Sequence, residues 1–352
     1  MSQINNQHEL NSDSINNKTK TENKLFNHLP IQNHRLYNLY DKSRLTFWTQ
    51  DEVDLSYDLI DWTKKLDKDE RHFIGHILGF FVQSDQLVNI NLSERFLIDI
   101  QTIPKSMQSP AKLFYNFQQM IEDIHSLMYE TLLNTLVTDP SENEYYKNAI
   151  ANIPAIAQKA QWAIKYIEDQ TSTFGIRLIA FAILEGLMFS GSFCSIFWLQ
   201  ERNVSDKNIL RGLVQSNKFI CRDENLHYEF AITLFDELKN SNEYHLEYDD
   251  DTIYQMIRDA VEIETEFINV SIPCNMIGMN VNLMTQYIQY VADKLLLDIE
   301  LEPMFNVENP FPFMNNLGLT DKANFFENKE TVYQRPVSGN DNDKYDPDDL
   351  DF

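Results

Sequence analysis

One apolar run constrains this chain more than any other feature. The segment RLIAFAILEGLMFSGSFCSIFWLQ, residues 177–200, is the longest apolar stretch in the sequence, and it carries one charge near its middle, Glu185. An unpaired ionised carboxylate in apolar surroundings costs several kcal/mol. Two interpretations are therefore open. The run is a membrane span with a functional acid, since its length suffices to cross a bilayer, or the rest of the chain supplies Glu185 with a partner.

The composition favours a helical protein and excludes two kinds of partner. The 352 residues include only 9 Gly and 11 Pro, which argues against a loop-rich β protein. The formal net charge is −25, from 29 Lys and Arg against 54 Asp and Glu. Such an excess of negative charge repels nucleic acid and anionic membranes, so we expect neither as a partner.

The cysteines and the N-terminus indicate a cytoplasmic protein. Cys194, Cys221 and Cys274 show no close pairing, and two of them lie in apolar helical patterns, so we expect buried, reduced thiols. The N-terminus, MSQINNQHELNSDSINNKTKTENK, lacks the apolar core of a signal peptide. Its Asn and Ser content predicts a disordered extension.

Three zones follow one another along the chain. Residues 1–28 form the polar extension, residues 29–330 form the folded body, and residues 331–352 form a flexible acidic tail. The tail ends with two apolar residues among aspartates, Leu350 and Phe352, which would suit docking into the groove of a partner.

The folded body has the periodicity of long helices. Apolar residues recur at three- and four-residue spacing, which predicts a bundle. The first long helix, from Lys68 to Ile100, has Asp67 or Asp69 as its N-cap. No alternating strand pattern of useful length competes, although a short strand pairing is possible near 310–330. The further predicted helices cover about 110–138, 143–168, 172–200, 206–239, 251–271 and 275–300.

Two glutamate–histidine pairs indicate a metal site. The motifs EDIH and ENLH place Glu122 three residues before His125, and Glu224 three residues before His227. Positions i and i+3 share one face of a helix, so each motif can offer a carboxylate and an imidazole to one ion. One such pair is weak evidence in so acidic a chain. Two pairs on separate long helices, each among apolar residues, favour a metal site over coincidence.

Two further acids complete a site for two metal ions. A binuclear carboxylate bundle needs one acid from each of two other helices. Glu185 supplies one, and Asp85, in the apolar segment FFVQSDQLVNI, supplies the other. Two divalent cations would cancel the charge of four carboxylates, which removes the objection to burying Glu185. Mixed carboxylate and imidazole ligands suit iron or manganese. Two other histidines, His72 and His76, we interpret as core residues.

A tyrosine lies next to the proposed metal site. Tyr129 follows His125 by four residues in EDIHSLMYETL, one turn along the same helix face. Phe189, Phe193 and Ile220 lie at helical spacing from the other ligands and would surround this phenol with an apolar wall. Each alone could be an ordinary core residue. Together they suggest a redox-active phenol shielded from water.

These motifs as a set resemble one enzyme family, the small, radical-generating subunit of class I ribonucleotide reductase, in its eukaryotic and viral form. The resemblance runs from about residue 29 to the C-terminus. The motifs that carry it are DERHFIGHILGFF, EDIHSLMY, LEGLMFSGSFCSIFWL, CRDENLH, IGMNVNLMTQYIQYVADKLL and NVENPFPFMNNLG.

The resemblance implies a fold and an activity. The fold would be an all-α, ferritin-like helical bundle with additional helices and disordered termini, assembled as a homodimer. Each chain would bind two irons and use oxygen to make a stable tyrosyl radical. The radical would serve a separate large subunit that reduces ribonucleotides to deoxyribonucleotides. That subunit would hold the redox cysteines, which this chain lacks.

The resemblance also implies a role for each motif residue. Asp85, Glu122 and His125 would bind one iron, and Glu185, Glu224 and His227 the other, with some carboxylates bridging. Tyr129 would carry the radical. In radical transfer, Asp223 would bond the His125 ligand, and Tyr333 in VYQRP would pass the radical between subunits. Phe352, with Leu350, would anchor the tail on the large subunit.

Three departures from the family pattern accompany the resemblance. Aligning HRLYNLYDKSRLTFW places Tyr37 where the family has a relay tryptophan. The Asp85–Glu122 interval is longer, within DIQTIPKSMQSP, and so is the Glu185–Glu224 interval, near ERNVSDKNILRG. Both insertions fall at predicted helix ends, where they need not disturb the ligands.

Two alternative functions stay open at this point. One is a ferritin-like di-iron oxidase that acts on its own organic substrate. The other is an accessory paralogue without a radical, which would form a heterodimer with a competent small subunit and support assembly. Tyr37 and the two insertions favour the second alternative, whereas the complete ligand set and Tyr129 favour a competent subunit.

Overall fold

The chain folds into helices joined by short turns. A computed structural model describes residues 28–169, 171–201, 209–271 and 280–316, and within these ranges there is no strand. The predicted all-α class is confirmed. The α-helices are α1 His34–Leu45, α2 Asp58–Lys64, α3 Lys68–Asn91, α4 Leu97–Asp99, α5 Lys105–Leu136, α6 Pro140–Lys147, α7 Ala149–Asn152, α8 Pro154–Glu168, α9 Phe174–Ala182, α10 Ser190–Glu201, α11 Arg211–Lys239, α12 Asp250–Ser271 and α13 Val281–Asp298. Two π-helical turns, Leu92–Phe96 and Ile183–Leu187, and two 3₁₀ turns, Gln50–Glu52 and Pro312–Asn316, complete the set.

Helix α3 begins where the sequence predicts, whereas α5 begins earlier. Asp67 is the N-cap of α3: its side chain accepts from the N–H of Glu70, and the Glu70 side chain accepts from the N–H of Asp67, both at 2.9 Å. Helix α5 starts at Lys105, before the predicted start at about 110, so Pro110 lies inside the helix instead of at its first position. Burial of Met107 and Pro110 in the core offsets the backbone hydrogen bond that a proline cannot make.

The apolar run forms the centre of the fold. It spans α9, the π-helical turn Ile183–Leu187 and α10. The helical segment Phe174–Glu201 is long and apolar enough to cross a membrane, but its most apolar window is completely buried inside the protein. Such burial is expected of a core helix, so the membrane interpretation of the run loses its support. Glu185 lies in the π-helical turn, a local widening that is frequent at functional sites.

Two aspartates of α2 fix the start of α11. Leu210, just before the helix, has a left-handed backbone with φ 48°, and the first N–H groups of the helix need outside acceptors. Buried Asp58 accepts from the N–H of Gly212 at 3.0 Å and from the N–H of Leu213 at 2.7 Å. Asp61 accepts from the N–H of Leu210 at 3.0 Å. These bonds set the position of the helix that carries the second glutamate–histidine pair.

One hydrophobic cluster extends through the described part of the chain. Helix α3 packs against α5, α9 against α11, and α12 against α13. The cluster runs from Leu36 near the N-terminal end to Met314 near the C-terminal end. The helices that carry the predicted ligands are therefore held by a common core. The outer limits of the body, at 29 and 330, and the tail 331–352 stay predictions, since residues 1–27 and 317–352 lie outside the described ranges.

The cysteines that the structure describes match the expectation. Cys194 and Cys221 are both buried, and Cys194 is free. Burial raises the pKa of both thiols, so neither is poised to react as a thiolate. Cys274 lies outside the described residues.

Candidate metal centre

Six side chains predicted as ligands meet in the interior of the bundle, and all are buried. They are Asp85 of α3, Glu122 and His125 of α5, Glu185 of the π-helical turn, and Glu224 and His227 of α11. Their donor atoms form two groups, each with its atoms within 4.8 Å of one another: Asp85, Glu122 and His125, and Glu122, Glu185, Glu224 and His227. The structure thus brings the whole predicted set together, and Glu122 belongs to both groups.

Two glutamates lie between the two histidines. Glu122 Oε2 is 3.3 Å from Nδ1 of His125, and Glu122 Oε1 is 3.0 Å from Nδ1 of His227. Glu224 repeats the arrangement, with Oε1 3.2 Å from Nδ1 of His125 and Oε2 3.2 Å from Nδ1 of His227. Each carboxylate spans both imidazoles, as a carboxylate that bridges two ions would. The prediction that some carboxylates bridge two ions is compatible with this spacing, and the division of the ligands between the ions stays a prediction.

Burial and mutual repulsion oppose the simultaneous ionisation of the four carboxylic acids in this cluster. Burial, then repulsion from Glu122, raises the pKa of Asp85, and burial, then repulsion from Glu224, raises the pKa of Glu185. Burial also acts to raise the pKa of Glu122, but His227 and His125 together outweigh it, and this pKa falls to about 2. Burial acts to lower the pKa of His227, but Glu122 and Glu224 together outweigh it and the pKa rises to about 9. Without a cation the cluster holds extra protons, and cation binding would release them.

The orphaned oxygens of the cluster fit a cation. One oxygen of each acid accepts no hydrogen bond from the described residues: Asp85 Oδ2, Glu122 Oε1, Glu185 Oε2 and Glu224 Oε1. Buried acceptors are rarely left unpaired, and cations bound between these oxygens would satisfy all four. A cavity of about 20 Å³ lies against Glu185 and Glu224, with room for one water-sized molecule. Carboxylates with imidazoles are a donor set that suits iron or manganese.

Two polar side chains orient the outer acids. Gln118 Nε2 donates to Glu185 Oε1 at 3.0 Å, and Ser84 Oγ lies 3.4 Å from Asp85 Oδ1. Neither residue was identified from the sequence. Gln118 precedes Glu122 by four residues on the same buried face of α5, and that spacing was the available signal.

The phenol of Tyr129 is completely buried beside the ligands. Its O–H donates to Asn217 Oδ1 at 2.9 Å, and its ring stacks on Phe81 with centroids 4.5 Å apart and planes 6° from parallel. Burial, then the charge of Asp85, raises the pKa of the phenol. Sequence reasoning missed both Asn217 and Phe81. Phe81 precedes Asp85 by four residues, and Asn217 precedes Glu224 by seven, so both lie on ligand-bearing faces.

The predicted apolar wall reaches the phenol through Phe81. Phe189 and Phe193 contact the Phe81 ring at centroid distances of 5.4 Å and 5.1 Å. Ile220 is fully buried on α11. The rings form a continuous aromatic layer on one side of Tyr129, which keeps water from that side.

A tryptophan, not Tyr37, occupies the position beside Asp223. Asp223 Oδ2 accepts from the indole N–H of Trp48 at 2.7 Å and lies 3.2 Å from Nε2 of His125. Since a carboxylate can only accept here, Nε2 of His125 carries the proton and Nδ1 is left to bind a metal. Tyr37 instead packs near Tyr40 on α1, with centroids 5.8 Å apart, and the alignment that placed Tyr37 here is wrong. Trp48 closes the same stretch, HRLYNLYDKSRLTFW.

Arg222 holds Asp223 from its other side and is itself held by a backbone carbonyl. Arg222 donates from Nε and Nη2 to Asp223 Oδ1 at 3.1 Å and 3.0 Å, and from Nη2 to the carbonyl of Thr46 at 2.6 Å. Burial acts to raise the pKa of Asp223, but Arg222 and His125 outweigh it and lower that pKa. Asp223 is therefore held as an ionised acceptor between His125 and Trp48.

Other sequence predictions have mixed outcomes. His76 is buried and lies 2.9 Å, Nδ1 to oxygen, from the carbonyl of His72, but His72 itself is exposed and is no core residue. Its place near the start of α3 lets solvent reach it. The first predicted insertion falls at the turn between α4 and α5. Most of the second, and Tyr333, Leu350 and Phe352, lie outside the described residues.

Comparison with known proteins finds related sequences and structures. Residues 25–310 match the sequence profile of "Ribonucleotide reductase, small chain". A ribonucleoside-diphosphate reductase small chain of Neurospora crassa is 45% identical over 340 residues, which cover 96% of this chain and 79% of that protein. One of Variola virus is 46% identical over 308 residues, 87% of this chain and 90% of that protein. The solved Rnr4 homodimer of Saccharomyces cerevisiae ribonucleotide reductase is 34% identical, with a TM-score of 0.69 over 81% of this chain and 85% of that one.

Replacing Glu122 is expected to weaken both metal sites, because Glu122 belongs to both groups of donor atoms. In titrations of metal-free protein with Mn²⁺, followed by the spin signal of the free ion, Glu122→Ala should lower the affinity of both binding steps at least about tenfold. Asp85→Ala should weaken one step only. Glu130→Ala, on the same helix, is the control and should change neither. Unaltered binding by Glu122→Ala would show that these acids hold no metal.

Proposed function

The chain belongs to the family of ribonucleotide reductase small chains, and we propose that it forms a tyrosyl radical on Tyr129 and lends it to a large subunit. It is the small subunit of a ribonucleoside-diphosphate reductase, an oxidoreductase that makes deoxyribonucleotides. The observation that carries the radical proposal is the setting of Tyr129. It is a fully buried phenol beside six converging metal ligands.

The proposed cofactor is a pair of iron ions in each chain, with manganese as the alternative. Asp85 and His125 would hold one ion, Glu185 and His227 the other, and Glu122 and Glu224 would bridge them. The six-residue donor set and the four orphaned oxygens support this arrangement. When bound, the ions supply the activation of dioxygen and the one-electron oxidation of the phenol.

The protein's part in making the radical is to hold and protect the phenol. Asn217 fixes the O–H of Tyr129, so the oxidisable group keeps one orientation. Phe81 covers one ring face, and Phe189 and Phe193 pack behind it. Because this layer excludes water and dissolved reductants, a radical on Tyr129 would persist.

A hydrogen-bonded chain gives the radical a proposed path outward. It runs from the His125 ligand through Asp223 to the indole N–H of Trp48. Asp223 stays ionised beside Arg222, so it can hold both N–H groups at once. Trp48 replaces Tyr37 as the relay residue in this proposal. Tyr333 is proposed to continue the path between the subunits.

The proposed partners are a large subunit and a second copy of this chain. The large subunit would take the acidic tail, with Leu350 and Phe352 as its apolar anchors. Dimerisation is supported by the related Rnr4 homodimer. A candidate face for the second copy carries exposed Ile90 of α3 and exposed Met120 and Leu127 of α5. A heterodimer with a paralogous small subunit is the alternative.

We also propose a cytoplasmic location for the protein. Cys194 is a buried, free thiol, which fits a reducing compartment.

Neither alternative function gains support from the structure. The accessory paralogue rested on Tyr37 in the place of the relay tryptophan and on the two insertions, and the bond from Trp48 to Asp223 supports Trp48 for that place. An oxidase with its own substrate would have no use for the path through Asp223. The observations therefore favour a competent radical-generating subunit.

Phenylalanine at position 129 is expected to abolish the radical. Protein loaded with Fe²⁺ and exposed to oxygen should show a tyrosyl-radical signal by electron paramagnetic resonance. Tyr129→Phe should lose that signal and keep its iron, because Phe fills the same space without an oxidisable O–H. Tyr115→Phe, another fully buried tyrosine of α5, is the matched control and should keep the signal. An iron-loaded unaltered protein without a radical would refute the proposal.

Trp48→Phe is expected to separate radical formation from turnover. Loss of the indole N–H removes the hydrogen bond to Asp223 but leaves Tyr129 and the six predicted metal ligands in place. The radical yield should stay the same, and turnover with the large subunit should fall by about a hundredfold, the scale of losing a positioned proton donor. Tyr37→Phe is the control and should turn over normally. Equal losses in both variants would place the path elsewhere.

Changes in the tail are expected to act on partner binding alone. Phe352→Ala should weaken binding to the large subunit about thirtyfold, as loss of an apolar anchor does. The radical signal should be unchanged. Asp351→Asn, between the two anchors, is the control. If binding measured by surface plasmon resonance is the same for Phe352→Ala and the unaltered chain, the tail does not dock through this residue.

A further inference from the structure

The helix that carries Glu185 is interrupted just after it. The π-helical turn ends with a bond from the N–H of Met188 to the carbonyl of Ile183 at 3.0 Å, and the regular pattern resumes with the N–H of Phe193 on the carbonyl of Phe189 at 3.1 Å. Between these bonds the carbonyl of Leu187 accepts from Ser190 Oγ at 2.6 Å. An interruption in the core leaves backbone groups that need other partners.

A buried lysine donates a hydrogen bond to the first half of the interrupted helix. Lys159 of α8 is 1% exposed, and its ammonium donates to the carbonyl of Met188 at 2.7 Å. The same ammonium lies over the rings of Phe80 and Phe267, 3.4 Å and 4.2 Å from their centroids. A cation at the end of a helix also complements the negative pole of the helix dipole.

A buried glutamate lies against the second half of the interrupted helix. Glu264 of α12 is completely buried, and its Oε2 is 2.6 Å from Nζ of Lys159. Its carboxylate lies against Gly191: a Cβ on residue 191 would be 2.5 Å from Glu264 Oε1, so only glycine permits this approach. Burial raises the pKa of Glu264, and the charge of Lys159 acts against this rise. The carboxylate thus lies at the first turn of α10, the positive pole of that helix.

Burying this ion pair in the core is energetically unfavourable, because both charges lose their contact with water. Burial lowers the pKa of Lys159 to about 8 in spite of Glu264, which shows how strongly desolvation acts on the pair. Apolar residues of similar volume often stabilise a protein as well as a buried ion pair does, or better. Stability alone is therefore a poor reason for this pair. Its contacts on both sides of the break offer a better one.

We infer that Lys159 and Glu264 are positioning residues that clamp the two halves of the interrupted helix and thereby aim Glu185 at the metal centre. Lys159 donates to the carbonyl end before the break, and Glu264, paired with Lys159, lies against the backbone of Gly191 after it. Met188, the residue that Lys159 holds, closes the π-helical turn that contains Glu185. This inference rests on the proposed metal-binding function of Glu185.

The test replaces the pair with apolar residues, because a single replacement would leave an unpaired buried charge and could unfold the protein. Lys159→Met with Glu264→Leu should stay folded, with a helical circular-dichroism spectrum and a melting transition close to those of the unaltered protein. In Mn²⁺ titrations of the metal-free protein, one of the two binding steps should weaken by about tenfold or more. Gly191→Ala, which pushes Glu264 away, should weaken the same step.

A double-mutant cycle shows whether the effect passes through Glu185. In a Glu185→Ala background, Lys159→Met with Glu264→Leu should cause no further loss of Mn²⁺ affinity, because the carboxylate that these changes displace is already absent. An additive loss would overturn the inference. The control is Arg177→Met with Asp99→Leu, a largely buried ion pair at the start of α9, which should leave Mn²⁺ binding unchanged.

The outcomes separate this inference from the proposed function. If the unaltered chain binds no Mn²⁺, the proposed metal centre fails. If it binds Mn²⁺ and the Lys159–Glu264 replacement binds equally well, the metal centre stands and the clamp is refuted. If the control pair causes the same loss, the effect belongs to any ion pair of this helix and the clamp is likewise refuted.

Discussion

Four carboxylates buried within a few ångströms of one another are the constraint on which the rest of the structure depends. Desolvation and repulsion raise the pKa of Asp85 and of Glu185, while attraction to His227 and His125 lowers the pKa of Glu122 in spite of its burial. Divalent cations bound between the acids would relieve this conflict in one step. The apolar run around Glu185 can therefore be as hydrophobic as a membrane span and still belong to the core of a bundle.

The backbone around the centre is shaped to deliver these side chains. A π-helical turn carries Glu185, and a break follows it, where Lys159 donates to the freed carbonyl of Met188 and pairs with Glu264. Asp58 caps α11, which brings Glu224 to the same place. Irregular backbone and buried charge are both unfavourable alone. They are tolerated here because each satisfies the other.

Sequence reasoning recovers what lies on one helix and misses what depends on distant contacts. The spacing of Glu122 and His125 predicts a shared face, and the structure shows it. By contrast, Trp48 meets Asp223 across a large sequence separation, and aligning a short stretch of α1 assigned its place to Tyr37. Asn217 lies at helical spacing from Glu224, but no feature of the surrounding sequence indicates that it accepts a hydrogen bond from Tyr129. The fold class was therefore accessible, whereas the residues around the ligands required the packing of separate helices.

The most direct test of this account is the number and position of metal ions in crystals of the metal-loaded protein, located by anomalous diffraction at the iron or manganese edge. The account predicts two ions per chain, about 3.5–4 Å apart, as in other two-metal sites. Glu122 and Glu224 should touch both ions, with Asp85 and Glu185 at opposite ends. A single ion, or none between these acids in fully loaded crystals, would contradict it.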